Sequence, residues 1–152
     1  MIISKAEEGD LQAILSLQKL AYQSEAQLVN DFSIPPLTQT LDDTLADFKR
    51  GIVLKALMPD NADEIIGSVR GHLSDGTLYI GKLIVDPALQ NQGIGTALLL
   101  KIESMHPNMR YELFTSDRSA RNLALYTKNG YAEFKREPLN ESVDFVFLEK
   151  FG

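Results

Sequence analysis

No cysteine and no tryptophan occur anywhere in the chain, and there are only two histidines. Without thiols, disulfides, cysteine nucleophiles and zinc–thiolate sites are excluded, and nothing else in the sequence points to a metal. Basic residues are the minority, 15 Lys and Arg against 21 Asp and Glu, for a formal net charge of -6. Binding to DNA or RNA needs clustered Lys and Arg to displace counterions from phosphates, so the balance disfavours a nucleic-acid partner. Long apolar runs are also missing, and none approaches the roughly 20 residues that a membrane span requires. The opening Met1-Ile2-Ile3-Ser4-Lys5-Ala6-Glu7-Glu8 turns charged too early for a secretory signal core. These absences together suggest a cytoplasmic protein with no membrane partner.

What is present suits one folded domain over residues 1–152, with 44% hydrophobic and 24% charged residues and no repeat, low-complexity tract or linker. Ile2 to Lys5 reads as a short strand. Asp10 is positioned to cap a helix whose Leu11, Ile14, Leu15, Leu17 and Ala21 form one apolar face. Asn30 to Pro36 reads as irregular, because Pro35 and Pro36 oppose regular helix. Thr40 predicts a helix start, with Asp42 and Asp43 in a first turn that favours anions and Gly51 as the stop after Arg50.

From Ile52 the period changes. Strands are expected at Ile52 to Met58, Glu64 to Leu73 and Thr77 to Val85, joined by a turn at Pro59 to Asp63 and a hairpin at Ser74-Asp75-Gly76. In the second strand Ile65, Val69 and Leu73 alternate against Ser68, Arg70 and His72. A glycine-bearing turn over Gln90 to Gly95 opens a helix carrying Leu98, Leu99, Ile102 and Met105, which stops before Pro107. Arg110 to Thr115 reads as a strand, Ser119 to Asn129 as a helix with Gly130 beyond it, and strands follow near Tyr131 to Arg136 and Val143 to Lys150. The order β-α-α-β-β-β-α-β-α-β-β predicts an α/β fold: a mixed sheet with helices on both faces.

The turn after Val85-Asp86-Pro87 carries the chemistry. At a helix start the first N–H groups have no intrahelical acceptor, and with the helix dipole they form an anion site. Gly93 and Gly95 would let a diphosphate approach the backbone, and Thr96 could add a hydroxyl. The turn is neither a dinucleotide fingerprint, which wants a small residue where Leu98 stands, nor a P-loop, which wants Gly-Lys-Ser/Thr. By itself a Gly-x-Gly pair also describes a plain tight loop before a buried helix.

Gln90-x-x-Gly93-x-Gly95 after Val85-Asp86-Pro87 resembles the acetyl-CoA signature of the GNAT (GCN5-related N-acetyltransferase) superfamily. The stretch Asn122-Leu123-Ala124-Leu125-Tyr126-Thr127-Lys128-Asn129-Gly130-Tyr131 resembles that family's second segment, and the element order agrees over nearly the whole chain. The resemblance implies that the backbone of Gln90, Asn91, Gln92, Gly93, Ile94, Gly95 and Thr96 holds the pyrophosphate of acetyl-CoA. It implies that Leu83, Ile84 and Val85 pair with the pantetheine amides, that this strand splays from Arg110 to Thr115, and that Asn122 bonds the pantetheine arm. No metal is implied.

Acetyl transfer from the thioester builds charge on the carbonyl oxygen and then on the sulfur. An N–H near Leu83 to Val85 is the natural oxyanion donor. Tyr126 matches the family's usual general acid; a phenol with a reference pKa of about 10 stays protonated at neutral pH and can protonate a thiolate. Read without the family, the same tyrosine is a packed core residue. The base is not evident. Many relatives place a glutamate on the strand before the turn, whereas Tyr79-Ile80-Gly81-Lys82-Leu83-Ile84-Val85 has no carboxylate. Glu25, Asp31, Glu64, His72 or water remain open as proton acceptors. His72 reads equally as a surface or hydrogen-bonded residue and His106 as a helix-end cap.

Between Glu7 and Asp47 the acids Glu7, Glu8, Asp10, Glu25, Asp31, Asp42, Asp43 and Asp47 face one base, Lys19. That suits a cationic amine acceptor, small molecule or peptide, and equally a solvated helix face. Phe32 and Ile34-Pro35-Pro36 are positioned to wall an acceptor pocket. Three other functions stay open: a coenzyme A-binding domain of the same fold that has lost transfer, an enzyme using a larger acyl group, and one forming an ester. Dimers are common among small enzymes, so a homodimer is compatible with the sequence.

Overall fold

The computed structural model describes residues 1–152. Strand β1 (Ile2–Lys5) leads through a short 3-10 turn at Glu8–Asp10 into α1 (Leu11–Ala21), followed by α2 (Gln23–Val29), α3 (Pro35–Thr38) and α4 (Leu41–Arg50). Strands β2 (Ile52–Met58), β3 (Asn61–Ser74) and β4 (Thr77–Val85) form a meander. Then come α5 (Ile94–Ser104), β5 (Arg110–Ser116), α6 (Ala120–Lys128), β6 (Ala132–Pro138) and β7 (Asp144–Phe151). All strands join one 7-stranded sheet in the order β1-β2-β3-β4-β5-β7-β6. Every pairing is antiparallel except β4 with β5, which is parallel and bridged by α5. No helix is long and apolar enough to cross a membrane.

The expected mixed sheet is present, with local departures. Helices α2 and α3 are additional to the expected order. Pro35 and Pro36 occupy the first turn of α3, where a missing N–H costs nothing because the first helical N–H groups have no intrahelical partner. Asp10 does not cap α1 with its side chain; its Oδ2 instead accepts from Glu7 N at 2.8 Å and Lys55 Nζ at 2.7 Å. The β2–β3 turn shortens to Pro59–Asp60, with Met58 paired to Asn61, so β3 begins earlier than its apolar pattern suggested.

Other local signals hold. Thr40 Oγ1 accepts from Asp43 N at 3.1 Å while Thr40 N donates to Asp43 Oδ2 at 2.9 Å, a reciprocal cap that starts α4. Asp75 and Gly76 both have positive φ, 49° and 80°, as a tight hairpin between twisted strands requires.

Adjacent residues of β2 point to opposite faces. Val53 joins Leu11 and Ile14 under α1 and α4, whereas Leu54 joins Leu98, Leu99 and Ile102 of α5. Burying each such side chain contributes about 1.5–3 kcal/mol. The polar side of β3 is covered as well: Ser68 and Arg70 are buried beneath the N-terminal helices.

Candidate active site

The Gln90 to Thr96 segment begins where β4 ends. Asp86 Oδ1 accepts from Ala88 N at 3.0 Å and holds a 3-10 turn at Pro87–Leu89. Asn91 and Gly93 then adopt positive φ, 63° and 81°, and Gly93 becomes the N-cap of α5. No backbone N–H from Gln90 to Thr96 donates to a protein acceptor; the next bond in the chain is Ala97 N to Gly93 O at 3.0 Å. A run of free N–H groups at the positive end of a helix favours an anion. The Ile94 side chain is core, so only its backbone faces this site.

Beside this turn β4 and β5 part. Their ladder holds only Thr77 with Arg110, Leu78 with Tyr111 and Tyr79 with Glu112. From Ile80 to Val85 the β4 edge facing β5 has no strand partner, so Leu83, Ile84 and Val85 border a split. A bulge sharpens it: Arg70 pairs with Gly81 and Ser68 with Ile84, which leaves Lys82 and Leu83 opposite Val69, with Lys82 at φ 49°. An extra residue on one strand increases its local twist and turns it from its neighbour.

Helix α6 closes the far side of the split. A Cβ on Gly95 would lie 3.6 Å from Leu125 Cδ2 and 3.8 Å from Val85 Cγ2, so the turn, β4 and α6 meet there. Asn122 and Tyr126 stand one helical turn apart on α6 and share a face. Asn122 Nδ2 donates to Thr115 Oγ1 at 3.2 Å and to Glu25 Oε1 at 3.3 Å, while its Oδ1 accepts no protein hydrogen bond. Tyr126 is buried and its hydroxyl makes no protein hydrogen bond. Burial raises its pKa above the ordinary phenol value, and Tyr22 and Glu25 add to the shift. The phenol therefore keeps its proton at neutral pH.

Several residues of this region had no functional reading from sequence. Arg121 donates to Gln90 Oε1 and stands against the turn. Its signal was available, since a cation in a helix's first turn opposes the dipole. Lys82, at the bulge, makes no salt bridge; burial, and then the Arg70 guanidinium, push its ammonium below the ordinary value. Arg70, fully within the fold, donates to Gln18 Oε1 at 2.8 Å, Asp47 Oδ2 at 3.0 Å and Gln39 Oε1 at 3.1 Å. This buried network ties α1, the α3–α4 junction and α4 to β3. A cavity of about 520 Å³ lies between the α1–α2 junction (Leu20, Gln23, Ser24, Gln27), Phe32, the turn residues Pro87 and Gln90, and Arg121.

The candidate bases separate. Asp31 holds Ser33 in a local turn, and Glu64 accepts from Asn61 Nδ2 at 3.2 Å on the outlying β2–β3 hairpin. His72 stacks on Tyr79 with ring centroids 5.3 Å apart, beside a cavity of about 470 Å³ that also touches His106 and Arg50. His106 Nδ1 lies 3.2 Å from Ile102 O, at the helix end as expected. Only Glu25 reaches α6, through Ser119 Oγ at 2.8 Å and Asn122.

The parallel pair β4–β5 thus splits beside a turn of unpaired N–H groups. Residues 11–131 match the Acetyltransferase (GNAT) family, and the chain belongs to that family: it is an acyltransferase whose co-substrate is acetyl-CoA. No curated protein matches by sequence. Among solved structures, the chain is similar to the PaiA N-acetyltransferase of Thermoplasma acidophilum in complex with coenzyme A, with TM-score 0.79, 19% identity and coverage of 99% of this chain and 98% of that one. It is also similar to the ribosomal-protein-S18-alanine N-acetyltransferase of Escherichia coli, with TM-score 0.78, 18% identity and coverage of 99% and 92%. An aminoglycoside 6'-N-acetyltransferase complexed with coenzyme A gives TM-score 0.76 at 15% identity, covering 99% and 97%. At these identities the likeness establishes the fold.

Proposed function

We propose that this protein, as one domain over residues 1–152 working in the cytoplasm, moves an acetyl group from acetyl-CoA to a primary amine of a small molecule or peptide by direct attack on the thioester. The observation that carries the reading is the run of unpaired N–H groups from Gln90 to Thr96, which suits a diphosphate. Arg121 adds a cation beside it. The unpaired edge of Leu83, Ile84 and Val85 suits strand-like bonding to the pantetheine amides, and the free Oδ1 of Asn122 suits a pantetheine N–H.

In this reading an N–H of the bulged β4 segment stabilises the oxyanion as the amine attacks. Tyr126, held protonated by its surroundings, donates to the departing sulfur. The acidic balance of the N-terminal helices favours a cationic acceptor.

The missing carboxylate on β4 favours a second reading, a coenzyme A-binding domain without transfer activity. Calorimetric titration with acetyl-CoA, followed by an assay of free coenzyme A thiol over a panel of amines, separates the two. Binding with amine-dependent thiol release supports transfer. Binding without release by any amine supports the second reading, and no binding overturns both.

A further inference from the structure

The proton that must leave the acceptor ammonium has no taker on β4, and the structure supplies one from another element. Resting on the acetyltransferase reading, we propose that Glu25 of α2 is the general base, taking the ammonium proton at the mouth of the β4–β5 split.

Of the three carboxylates open as proton acceptors, Glu25, Asp31 and Glu64, only Glu25 is carried by the fold to α6. Ser119 Oγ donates to its Oε1 at 2.8 Å and Asn122 Nδ2 donates to the same oxygen at 3.3 Å. Ser119 is the N-cap of the helix that bears Tyr126, and Asn122 stands one turn before that tyrosine. Two bonds on Oε1 hold the carboxylate in place and leave Oε2 with no protein partner. Tyr22 and Tyr126 both feel the Glu25 charge, which sets it against the two phenols that line this wall. The cation that faces Tyr22 from β3, Arg70, is already paired with Asp47. Ser24 and Gln23, close to it in the chain, line the cavity beside the N-terminal helices.

The chemistry balances as R–NH3+ and acetyl-S-CoA giving R–NH–CO–CH3, HS-CoA and one H+. Glu25 takes the first ammonium proton, and the freed lone pair forms the C–N bond. The C–S bond breaks as Tyr126 protonates the sulfur. The second nitrogen proton restores the phenol through solvent, and Glu25 releases its proton to water.

The test uses the full chain with the amine of the panel that wild type acetylates fastest. Glu25→Gln keeps an oxygen for Ser119 and Asn122 but accepts no proton. We expect it to bind acetyl-CoA as wild type does, with kcat/KM lowered about a hundredfold at neutral pH. The deficit should shrink as pH approaches the amine's own pKa, about 10 for an alkylammonium, where the acceptor is already neutral. Glu25→Ala should recover rate with added formate. A Gln variant as fast as wild type, or a deficit constant across pH with no formate rescue of the Ala variant, overturns the assignment and leaves the acetyltransferase reading standing. Wild-type protein that releases no thiol with any amine removes that reading, and this assignment with it.

Discussion

Glu25 accepts a hydrogen bond from Ser119 Oγ at 2.8 Å, joining α2 to the start of α6 across 94 positions of sequence. This contact brings the N-terminal helices against the helix that bears Asn122 and Tyr126.

Tyr126→Phe removes one hydroxyl without changing the buried volume much. We expect acetyl-CoA affinity to persist and turnover to fall at least about tenfold, the range for loss of a general acid. Steady-state thiol release with calorimetry on the same preparation checks both halves. Unchanged turnover reassigns the residue to packing.

Gly93 has φ 81° and open space where a Cβ would go, so its constraint is conformational, not steric. A β-branched residue there meets a left-handed backbone cost of about 1–2 kcal/mol or more, whereas Asn tolerates that region. Gly93→Val should lose the thermal protection conferred by acetyl-CoA, and Gly93→Asn should retain most of it. Differential scanning fluorimetry with and without acetyl-CoA reads the difference.

Arg121→Ala removes the cation that stands beside Gln90. An exposed charge-assisted contact to a phosphate of about 1 kcal/mol corresponds to a Kd for acetyl-CoA raised roughly fivefold. The loss should diminish at high salt, where screening already weakens the wild-type contact. A Kd equal to wild type at low salt would leave Arg121 outside the site.

The Arg70 side chain is 7% exposed and its partner Asp47 23% exposed. Arg70→Ala leaves Asp47, Gln18 and Gln39 without their shared donor, and breaking such a buried pair costs about 3–5 kcal/mol. By contrast Lys135→Ala breaks a pair whose side chains are 47% and 54% exposed, which is worth about 0–1 kcal/mol. Urea unfolding of the two variants should show this ordering.

Stability should decline on the alkaline side. Burial pushes the Tyr22 phenol up to about 12, with Glu25 adding and Arg70 opposing. A folded-state pKa raised above the unfolded value of about 10 gives stability that is fully present below that unfolded value. It is lost as pH rises through about 12. Tyr126 shifts in the same direction through burial. Tyr22→Phe should flatten the fall in Tm across that window.

Much of this protein is short-range and therefore readable along the chain. Apolar period set α1, α5 and the strands; Thr40 with Asp43 set the start of α4; Asp75-Gly76 set the hairpin; and the glycines after Pro87 marked the free N–H groups. Each depends on residues within a few positions of one another. What tertiary structure alone decided is which faces meet. The bulge at Lys82 turned β4 from β5, Arg70 was buried under helices instead of facing water, and Glu25, unlike Asp31, Glu64 and His72, was brought against α6. None of these follows from local pattern, because each side chain acquires its role from an element far away in sequence that packs against it.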